Sequence, residues 1–222
     1  YELLKRSGFE DRQIPSLRYM TQAGGKLPKE LVEYYALLAE KKGWRFYVMY
    51  GQTEATARMS YLPPDKIRSH LGSMGVPIPE GRFELIDEKG RLITTANQNG
   101  ELIYHGPNVM MGYATSREDL YDASSLTELR TGDVAWRDGD GFYYISGRKS
   151  RFLKIFGNRI GLDDLESSLR GLGYVTICGG TDKQLIIMTI DQGKKADIER
   201  ALAEKFSLTS QYASVEEVKD FP

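Results

Sequence analysis

A strand, helix and strand in succession near the start of the chain restrict its fold more than any other feature. The run from Leu17 to Gln22 is typical of a short strand. Apolar residues then recur at helical spacing from Pro28 to Lys42, with the proline at a plausible first turn. A second β-rich run follows at residues 45 to 50. This succession predicts a parallel α/β unit.

The second predicted strand runs into the segment Tyr-Gly-Gln-Thr-Glu-Ala-Thr, residues 50 to 56, whose first residue is the last of the strand. It combines an aromatic ring, a glycine, a hydroxyl and a carboxylate within a few positions. Open α/β sheets tend to bind ligands at the carboxyl ends of their strands. The segment is therefore a candidate functional site.

Two later changes of pattern divide the rest of the chain. After Pro63-Pro64, short β-type runs alternate with turn residues, which is typical of a small antiparallel sheet or a partial barrel. From about residue 150, a hairpin interrupted at Gly157-Asn158 precedes two helices and three strands. We expect a mixed α+β and α/β fold: the end of an α/β subdomain, a small antiparallel β-barrel-like subdomain and a compact α+β carboxy-terminal domain.

These patterns predict two domains. We assign residues 1–149 to a large domain, with an α/β portion at 1–62 and a β-rich portion at 63–149, and residues 150–222 to a small one. The boundary falls between Gly147 and Arg151. Because the chain begins at Tyr1 without a methionine and stops directly after a strand-like run, we expect it to be a piece of a longer protein.

The composition excludes several classes of protein. Thirty Lys and Arg against 31 Asp and Glu give a net charge of -1, so no basic field for nucleic acid or an anionic membrane is expected. No apolar run of roughly 18 residues exists, so we predict a cytoplasmic chain without a membrane span. The single cysteine, Cys178, excludes a disulfide framework, and we assign it and His105 to structure. Two histidines are too few for a His/Cys zinc site.

Polar clusters are dispersed along the chain in a defined order. They are Gln22-Ala23-Gly24-Gly25, Tyr50-Gly51-Gln52-Thr53-Glu54, Arg130-Thr131-Gly132-Asp133, Gly147-Arg148-Lys149, Lys154 and Gly157-Asn158-Arg159-Ile160, with further blocks at 72–81, 100–102 and 106–113. Together they resemble the carboxy-terminal half of the adenylate-forming superfamily of acyl-CoA synthetases, peptide-synthetase adenylation domains and luciferases. The resemblance runs from about residue 17 to 170.

The resemblance implies an AMP-forming ligase that joins a carboxylic acid to the α-phosphate of ATP, releases pyrophosphate and passes the acyl group to a thiol. The implied cofactors are ATP or AMP, Mg²⁺, and CoA or phosphopantetheine as acceptor. The implied partners are a small carboxylic acid and, where the acceptor is phosphopantetheine, an acyl-carrier protein. No nucleic acid partner is expected.

The resemblance also implies a role for each matching residue. The purine would lie on the ring of Tyr50 beside the backbone of Gly24, Gly25 and Gly51. Asp133 would accept hydrogen bonds from both ribose hydroxyls. In the expected catalytic set, Thr53 donates to phosphate, Glu54 binds Mg²⁺ and Arg148 reaches ribose or phosphate oxygens. Lys154 is the fourth residue of this set. Arg159 is the last residue of the expected nucleotide-binding set.

Each of these side chains also has a purely structural interpretation. Glu54 could be a solvated or capping carboxylate, Asp133 could shape a turn, and Arg148 could form a surface ion pair. Tyr50 could be packing, and Lys154 and Arg159 could belong to a solvated hairpin face. For the whole chain, the alternative is a noncatalytic or degenerate module that docks an acyl-carrier protein or a partner subunit.

Three departures from the superfamily pattern limit what the chain does alone. The Ser/Thr/Gly-rich phosphate loop of the superfamily is absent from this sequence. The superfamily's catalytic lysine follows a glycine near the carboxy terminus, and Lys219 does not stand in such a Gly-Lys step. The hinge position two residues after Arg148, where Asp or Lys is usual, is Ser150. We therefore expect the 222 residues alone to bind nucleotide at most weakly.

Overall fold

The structure is a computed structural model that describes residues 1–121, 126–155 and 158–221, without the side chains of Asn158 and Arg159. It is a mixed α/β fold with several sheets. Its α-helices are α1 (Glu2–Arg6), α2 (Lys29–Lys42), α3 (Leu162–Gly171) and α4 (Lys195–Phe206). Its strands are β1 (Tyr19–Gln22), β2 (Arg45–Tyr50), β3 (Ser60–Leu62), β4 (Val76–Pro77), β5 (Arg82–Ile86), β6 (Gly100–His105), β7 (Leu129–Arg137), β8 (Tyr143–Arg148), β9 (Phe152–Ile155), β10 (Asn158–Gly161), β11 (Thr176–Thr181), β12 (Gln184–Thr189) and β13 (Ala213–Glu217).

The predicted parallel α/β unit is confirmed. Strands β1 and β2 pair in parallel, with Gln22 opposite Val48. Helix α2 connects them and ends at Gly43, whose φ of 72° suits the left-handed cap that glycine favours. The buried face of α2 consists of Leu31, Val32, Tyr35, Leu38 and Ala39, at helical spacing. These side chains pack with Phe46 and Leu62 in one apolar core.

Contacts between Cα atoms divide the chain into two compact units. The first unit comprises Tyr1–Thr131 and Ala135–Ile145, and the second comprises Gly132–Val134 and Ser146–Pro222. The boundary that we predicted between residues 149 and 150 stays a prediction.

The first unit contains the sheet β1-β2-β3-β4. A second apolar core lies beneath the β-rich part of this unit and includes Met59, Phe83, Leu102 and Tyr104, each buried. The four-stranded sheet with order β5-β6-β7-β8 is open among the described residues, because β5 and β8 are its edges.

The second unit has its own apolar core. Strands β11, β12 and β13 form one sheet, in which β12 pairs antiparallel with β11 and parallel with β13. Helix α3 contributes Leu165 and Leu169, and helix α4 contributes Ile198 and Leu202, all buried. The predicted hairpin is confirmed as the antiparallel pair β9 and β10; Gly157, at its predicted break, lies outside the described residues.

Gly75 is the glycine at which the first unit leaves least room for a side chain. Its φ is +87°, and a Cβ atom built on it would stand 1.8 Å from the carbonyl oxygen of Tyr61. The φ of Gly90 is similar, at +76°, but no described atom lies within 4 Å of its would-be Cβ. At both positions, an L-residue would have to adopt a positive φ at a cost in free energy. Only at Gly75 would its Cβ atom also clash with the backbone.

We therefore expect Gly75→Ala to destabilise the chain by about 3 kcal/mol or more, and Gly90→Ala by about 1 to 2 kcal/mol. Urea unfolding followed by tryptophan fluorescence measures the difference. Equal losses in the two variants would show that the backbone at Gly75 moves away from Tyr61 at little cost.

Candidate functional site

Two loops leave the first sheet at the carboxyl ends of its parallel strands. Because β1 and β2 run in the same direction, the loop after Gln22 and the loop after Tyr50 emerge at the same edge of the sheet. The side-chain amide of the buried Gln22 donates to the carbonyl oxygen of Gly25. Gly24 has a φ of +90°, and no described atom lies within 4 Å of a Cβ built on Gly24 or Gly25. The chain thus forms a tight turn with open space beside both glycines.

Gly51 is required by the chain's own backbone. A Cβ atom at this position would lie 2.4 Å from the carbonyl oxygen of Ala57. The loop folds back on itself, since the amide of Ala57 donates to the Gln52 carbonyl at 2.9 Å and the amide of Met59 donates to the Tyr50 carbonyl at 2.9 Å. The glycine therefore permits this close return, while its predicted contact with the purine stays a prediction.

Thr53 and Glu54 form a short 3₁₀ turn at the tip of this loop, which we call the Glu54 loop and define as residues 50–58. Thr53 is exposed and Glu54 is half-buried. The next residue, Ala55, is completely buried and anchors the turn in the apolar core. Because Ala55 is anchored, the carboxylate of Glu54 is attached to a fixed backbone.

The carboxylate of Glu54 accepts a hydrogen bond from the hydroxyl of Tyr113. This hydrogen bond, followed by partial burial and the negative charge of Glu54, raises the pKa of Tyr113 above the usual value for tyrosine. A tyrosine hydroxyl is protonated at neutral pH even without this shift, and the raised pKa extends the pH range over which it donates to the carboxylate. Tyr113 as a whole residue is 73% exposed.

Asn108 holds the backbone of the same loop from a segment far away in the sequence. Its amide nitrogen donates to the carbonyl oxygens of Ala55, at 2.7 Å, and Arg58, at 3.0 Å. Its amide oxygen accepts from the hydroxyl of Tyr104 at 2.7 Å. Its backbone carbonyl accepts from the hydroxyl of Thr56 at 3.0 Å. All the polar atoms of the Asn108 side chain are thereby used.

The ring of Tyr50 is half-buried and packs against the core beneath the β-rich part. Its centroid lies 6.4 Å from that of Phe83, with the ring planes tilted by 58°. This contact gives Tyr50 the packing role that the sequence left open, and its predicted stacking on a purine stays a prediction.

In the second unit, Asp133 and Arg148 form an ion pair. Oδ1 of Asp133 lies 3.3 Å from Nε of Arg148. The aspartate side chain is 6% exposed, whereas the arginine side chain is 62% exposed. Asp133 lies within strand β7, so it does not shape a turn between elements, and the preceding Gly132 has a positive φ of 69°. A nearly buried carboxylate beside an exposed guanidinium can accept additional hydrogen bonds from a ligand.

The predicted hinge, Ser150, is exposed and central in the 3₁₀ turn Lys149–Arg151 between β8 and β9. The next residue is fixed, because Nε of Arg151 donates to Asp163 Oδ1 at 2.6 Å and its terminal nitrogen donates to Glu166. Burial lowers the pKa of Arg151, but the hydrogen bonds that it donates to both carboxylates outweigh burial and raise its pKa overall. Arg151 is thus fastened to helix α3.

The remaining predicted residues have fewer described contacts. Lys154 is exposed on β9, opposite Arg159 in the hairpin register, and its amide donates to Asp182 at 2.8 Å. The side chain of Arg159 lies outside the described part of the chain. Their predicted roles stay predictions.

The two residues that we assigned to structure have structural surroundings. Cys178 is a buried free thiol, and burial, more than the neighbouring charge of Glu166, raises its pKa to about 12. A thiol with this pKa is not a nucleophile at neutral pH. The imidazole of His105 is hydrogen bonded to Glu84 at 3.1 Å.

Asn108 and Tyr113 are site residues that the sequence did not reveal individually. Both stand in the block of residues 106–113, which was noted only as part of the ordered series. Their partners lie 53 and 59 positions away, so no local pattern connects them. The signal that pointed to them was the block itself, GPNVMMGY, placed after strand β6.

The described residues contain neither a metal-binding cluster nor a membrane-spanning helix. No three His, Cys, Asp or Glu side chains among them converge in a way that could hold a metal ion. Of the helices in the same ranges, none has both the length and the apolar composition needed to cross a bilayer.

Comparison with known proteins identifies relatives. Residues 1–114, just over half of the 222, match the sequence profile of a family described as AMP-binding enzyme. A 2-succinylbenzoate–CoA ligase of Bacillus mycoides (strain KBAB4) is 32% identical over 159 residues, which are 72% of this chain and 32% of that enzyme.

Solved structures have the same fold. The unliganded O-succinylbenzoate coenzyme A synthetase of Bacillus subtilis matches with a TM-score of 0.71 and 26% identity, over 98% of this chain and 47% of that one. A complex of the B. subtilis synthetase with ATP and magnesium ion matches with a TM-score of 0.71 and 24% identity, over 100% and 46%. The chain thus spans less than half the length of these relatives.

Proposed function

We propose, from the premise that this chain belongs to the AMP-binding enzyme family, that it is part of an ATP-dependent acid–thiol ligase. Such an enzyme joins a carboxylic acid to the α-phosphate of ATP with release of pyrophosphate, and then transfers the acyl group to a thiol. Because the chain spans less than half the length of the solved relatives, we assign the activity to the full-length protein. The family match agrees with the resemblance found in the ordered motifs.

The observation that carries this proposal is the constrained Glu54 loop at the end of a parallel strand. Glu54 is half-buried, and the backbone of the loop is tied to residues 108 and 110 by hydrogen bonds. Mg²⁺ commonly takes one or two protein carboxylates and completes its coordination with phosphate oxygens and water. A single fixed carboxylate therefore fits this ion, and we assign Glu54 as its protein ligand. The ion would neutralise phosphate charge, and Thr53 would donate to a phosphate oxygen.

We assign the remaining nucleotide contacts residue by residue. Asp133 would bind the ribose hydroxyls, because its carboxylate is held in place by Arg148 at 3.3 Å. Arg148 is 62% exposed and keeps donors available for ribose or phosphate oxygens. The open turn at Gly24-Gly25 and the ring of Tyr50 would receive the purine. Lys154 and Arg159 belong to the proposed set on the strength of the motif alone.

The substrate class is a small carboxylic acid, and the acceptor is CoA or a phosphopantetheine carrier. The CoA ligase name of the B. mycoides relative favours CoA. A cytoplasmic location, where CoA and ATP are present, forms part of the proposal. The noncatalytic docking module is the less favoured alternative, because the B. mycoides and B. subtilis relatives are named as a ligase and a synthetase.

The deciding experiment is ATP–pyrophosphate exchange by the full-length protein against a panel of carboxylic acids that includes 2-succinylbenzoate. We expect exchange that depends on one class of acid and on Mg²⁺, followed by thioester formation when CoA is added. Absence of exchange with every acid, in a protein shown to be folded, would favour the docking module instead.

We also propose that Ser150 is the pivot at which the small domain turns between the two half-reactions. Ser150 is exposed and the following residue is fastened to α3 by Asp163 and Glu166, so the backbone freedom lies before Arg151. Large rotations are absorbed by a few dihedral angles at a boundary. A proline would fix φ near -65° and restrict Lys149 as well.

We expect Ser150→Pro in the full-length ligase to spare pyrophosphate exchange and to slow transfer to the thiol by about tenfold or more, a barrier change of about 1.4 kcal/mol. Ser150→Ala, which leaves the backbone free, is the matched control and should perform both steps at the normal rate. Equal loss of both steps in the proline variant would place the pivot elsewhere.

A further inference from the structure

We propose that Asn108 and Tyr113 are positioning residues that hold Glu54 in the geometry for Mg²⁺, Asn108 through the loop backbone and Tyr113 through the carboxylate. This inference rests on the proposed function of Glu54. It assigns a task to the segment Gly106–Tyr113, which follows strand β6 and contributes no ligand of its own to the proposed nucleotide site.

Several hydrogen bonds from residues 108 and 110 hold the backbone of the Glu54 loop. Asn108 spans the Glu54 turn, because its amide nitrogen reaches the carbonyls of residues 55 and 58 at 2.7 and 3.0 Å. The amide of Met110 donates to the carbonyl of Glu54 itself at 2.8 Å. Tyr104 fixes the orientation of the Asn108 amide by donating to its oxygen.

The hydrogen bonds from Asn108 stabilise a stretch of the Glu54 loop whose backbone conformation is strained. Thr56 and Ala57 both have positive φ, 53° and 61°, a conformation that costs an L-residue of order 1 kcal/mol. Neighbouring bonds must compensate for this cost if the turn is to stay populated. The Asn108 bonds are made to the carbonyls on either side of these two residues, so they stabilise the strained stretch directly.

Tyr113 contacts the carboxylate of Glu54 directly. The tyrosine hydroxyl donates to Oε1 of Glu54. A carboxylate has four lone-pair sites on its two oxygens, so the bond to Tyr113 leaves acceptor capacity for a metal ion. Residues that hydrogen bond to a metal ligand orient it, and their loss commonly weakens metal affinity by about 10- to 100-fold.

Two substitutions separate positioning from folding. Tyr113→Phe removes only the hydroxyl that contacts Glu54. Asn108→Asp keeps the size and the acceptor for Tyr104 but loses both donations to the loop carbonyls. Tyr121→Phe is the matched control, because Tyr121 is as exposed as Tyr113, at 77% and 73%, and stands in the same region of the first unit.

The readout is the affinity of the full-length ligase for ATP, measured by isothermal titration calorimetry with Mg²⁺ and with EDTA. We expect Tyr113→Phe and Asn108→Asp to raise the ATP Kd about tenfold in Mg²⁺ and less than about twofold in EDTA. The Tyr121→Phe control should match the unsubstituted ligase in both. In a Glu54→Gln background, Tyr113→Phe should have no further effect, because the charged Mg²⁺ ligand that Tyr113 orients is already gone.

Three outcomes would overturn the inference. Equal weakening with and without Mg²⁺ would show general damage to the site. Unchanged affinity in folded variants, while the unsubstituted ligase binds ATP tighter in Mg²⁺, would overturn the inference alone. Identical ATP affinity in Mg²⁺ and EDTA for the unsubstituted ligase would refute the proposed role of Glu54 and this inference together.

Discussion

If the proposed ligase activity is correct, Glu54→Gln in the full-length protein is expected to lower kcat/KM for pyrophosphate exchange by about 100-fold or more, equivalent to about 2.7 kcal/mol. The substitution keeps the size of the side chain and an oxygen that can accept from Tyr113, so the loop should keep its conformation. What is lost is the negative charge that we propose binds Mg²⁺, a hard divalent cation. The loss should therefore be largest at low Mg²⁺ and smaller at high Mg²⁺.

The matched control is Glu40→Gln, which makes the same chemical change on the exposed face of helix α2. It should leave exchange unchanged at every Mg²⁺ concentration. A loss in Glu54→Gln that is the same at all Mg²⁺ concentrations would mean that Glu54 serves the loop and not the metal. The thermal midpoint of both variants has to be measured to exclude unfolding.

The first α/β unit could be predicted because its signals are local. The apolar positions of α2 repeat at helical spacing, and all five residues that the structure buries on this helix belong to that pattern. The flanking strands are short runs of β-prone residues, and a helix between two strands favours parallel pairing. The carboxyl edge of that sheet, and with it the position of the Glu54 loop, follows from this unit alone.

Strand β7 could not be predicted because its pattern is interrupted by polar residues. Leu129–Arg137 contains Thr131-Gly132-Asp133, a sequence that is also typical of a turn. In the structure, Thr131 is buried and donates to the carbonyl of Leu102, and Asp133 is paired with Arg148. These partners lie 29 and 15 positions away in the chain, and only tertiary contacts make polar residues tolerable inside a sheet.

Gly51 and Asn108 illustrate the same limit at the site. The glycine in the Tyr-Gly-Gln-Thr-Glu motif suggested close approach of a ligand, which stays a prediction. The structure shows a separate reason for the glycine, because the carbonyl oxygen of Ala57 leaves no room for a side chain. The asparagine carried no individual signal, because its hydrogen bonds join segments far apart in sequence. Sequence patterns predicted which blocks form the site, and the structure shows how residues 108 and 110 hold the Glu54 loop.

Asp133→Ala in the full-length protein is expected, if the proposed ribose role is correct, to raise the ATP Kd and KM by about 10- to 100-fold. Losing paired, charge-assisted hydrogen bonds from a carboxylate to two hydroxyls costs about 1.5 to 3 kcal/mol. The cost to folding should be smaller, since the partner Arg148 is 62% exposed and is solvated when the carboxylate is removed. Affinity is measured by calorimetry, with thermal unfolding to confirm the fold.

Any substitution of Asp133 also removes its ion pair with Arg148, so a protein variant alone cannot isolate the proposed contact with the ribose. A modified nucleotide supplies the control instead. With 2′,3′-dideoxy-ATP, which lacks both hydroxyls, the unsubstituted protein should lose about as much affinity as Asp133→Ala loses for ATP. The variant itself should bind ATP and the dideoxy nucleotide equally, since the group that distinguishes them is absent. If the variant still prefers ATP by the full factor, the carboxylate acts through Arg148 and the ribose hydroxyls are bound by another residue.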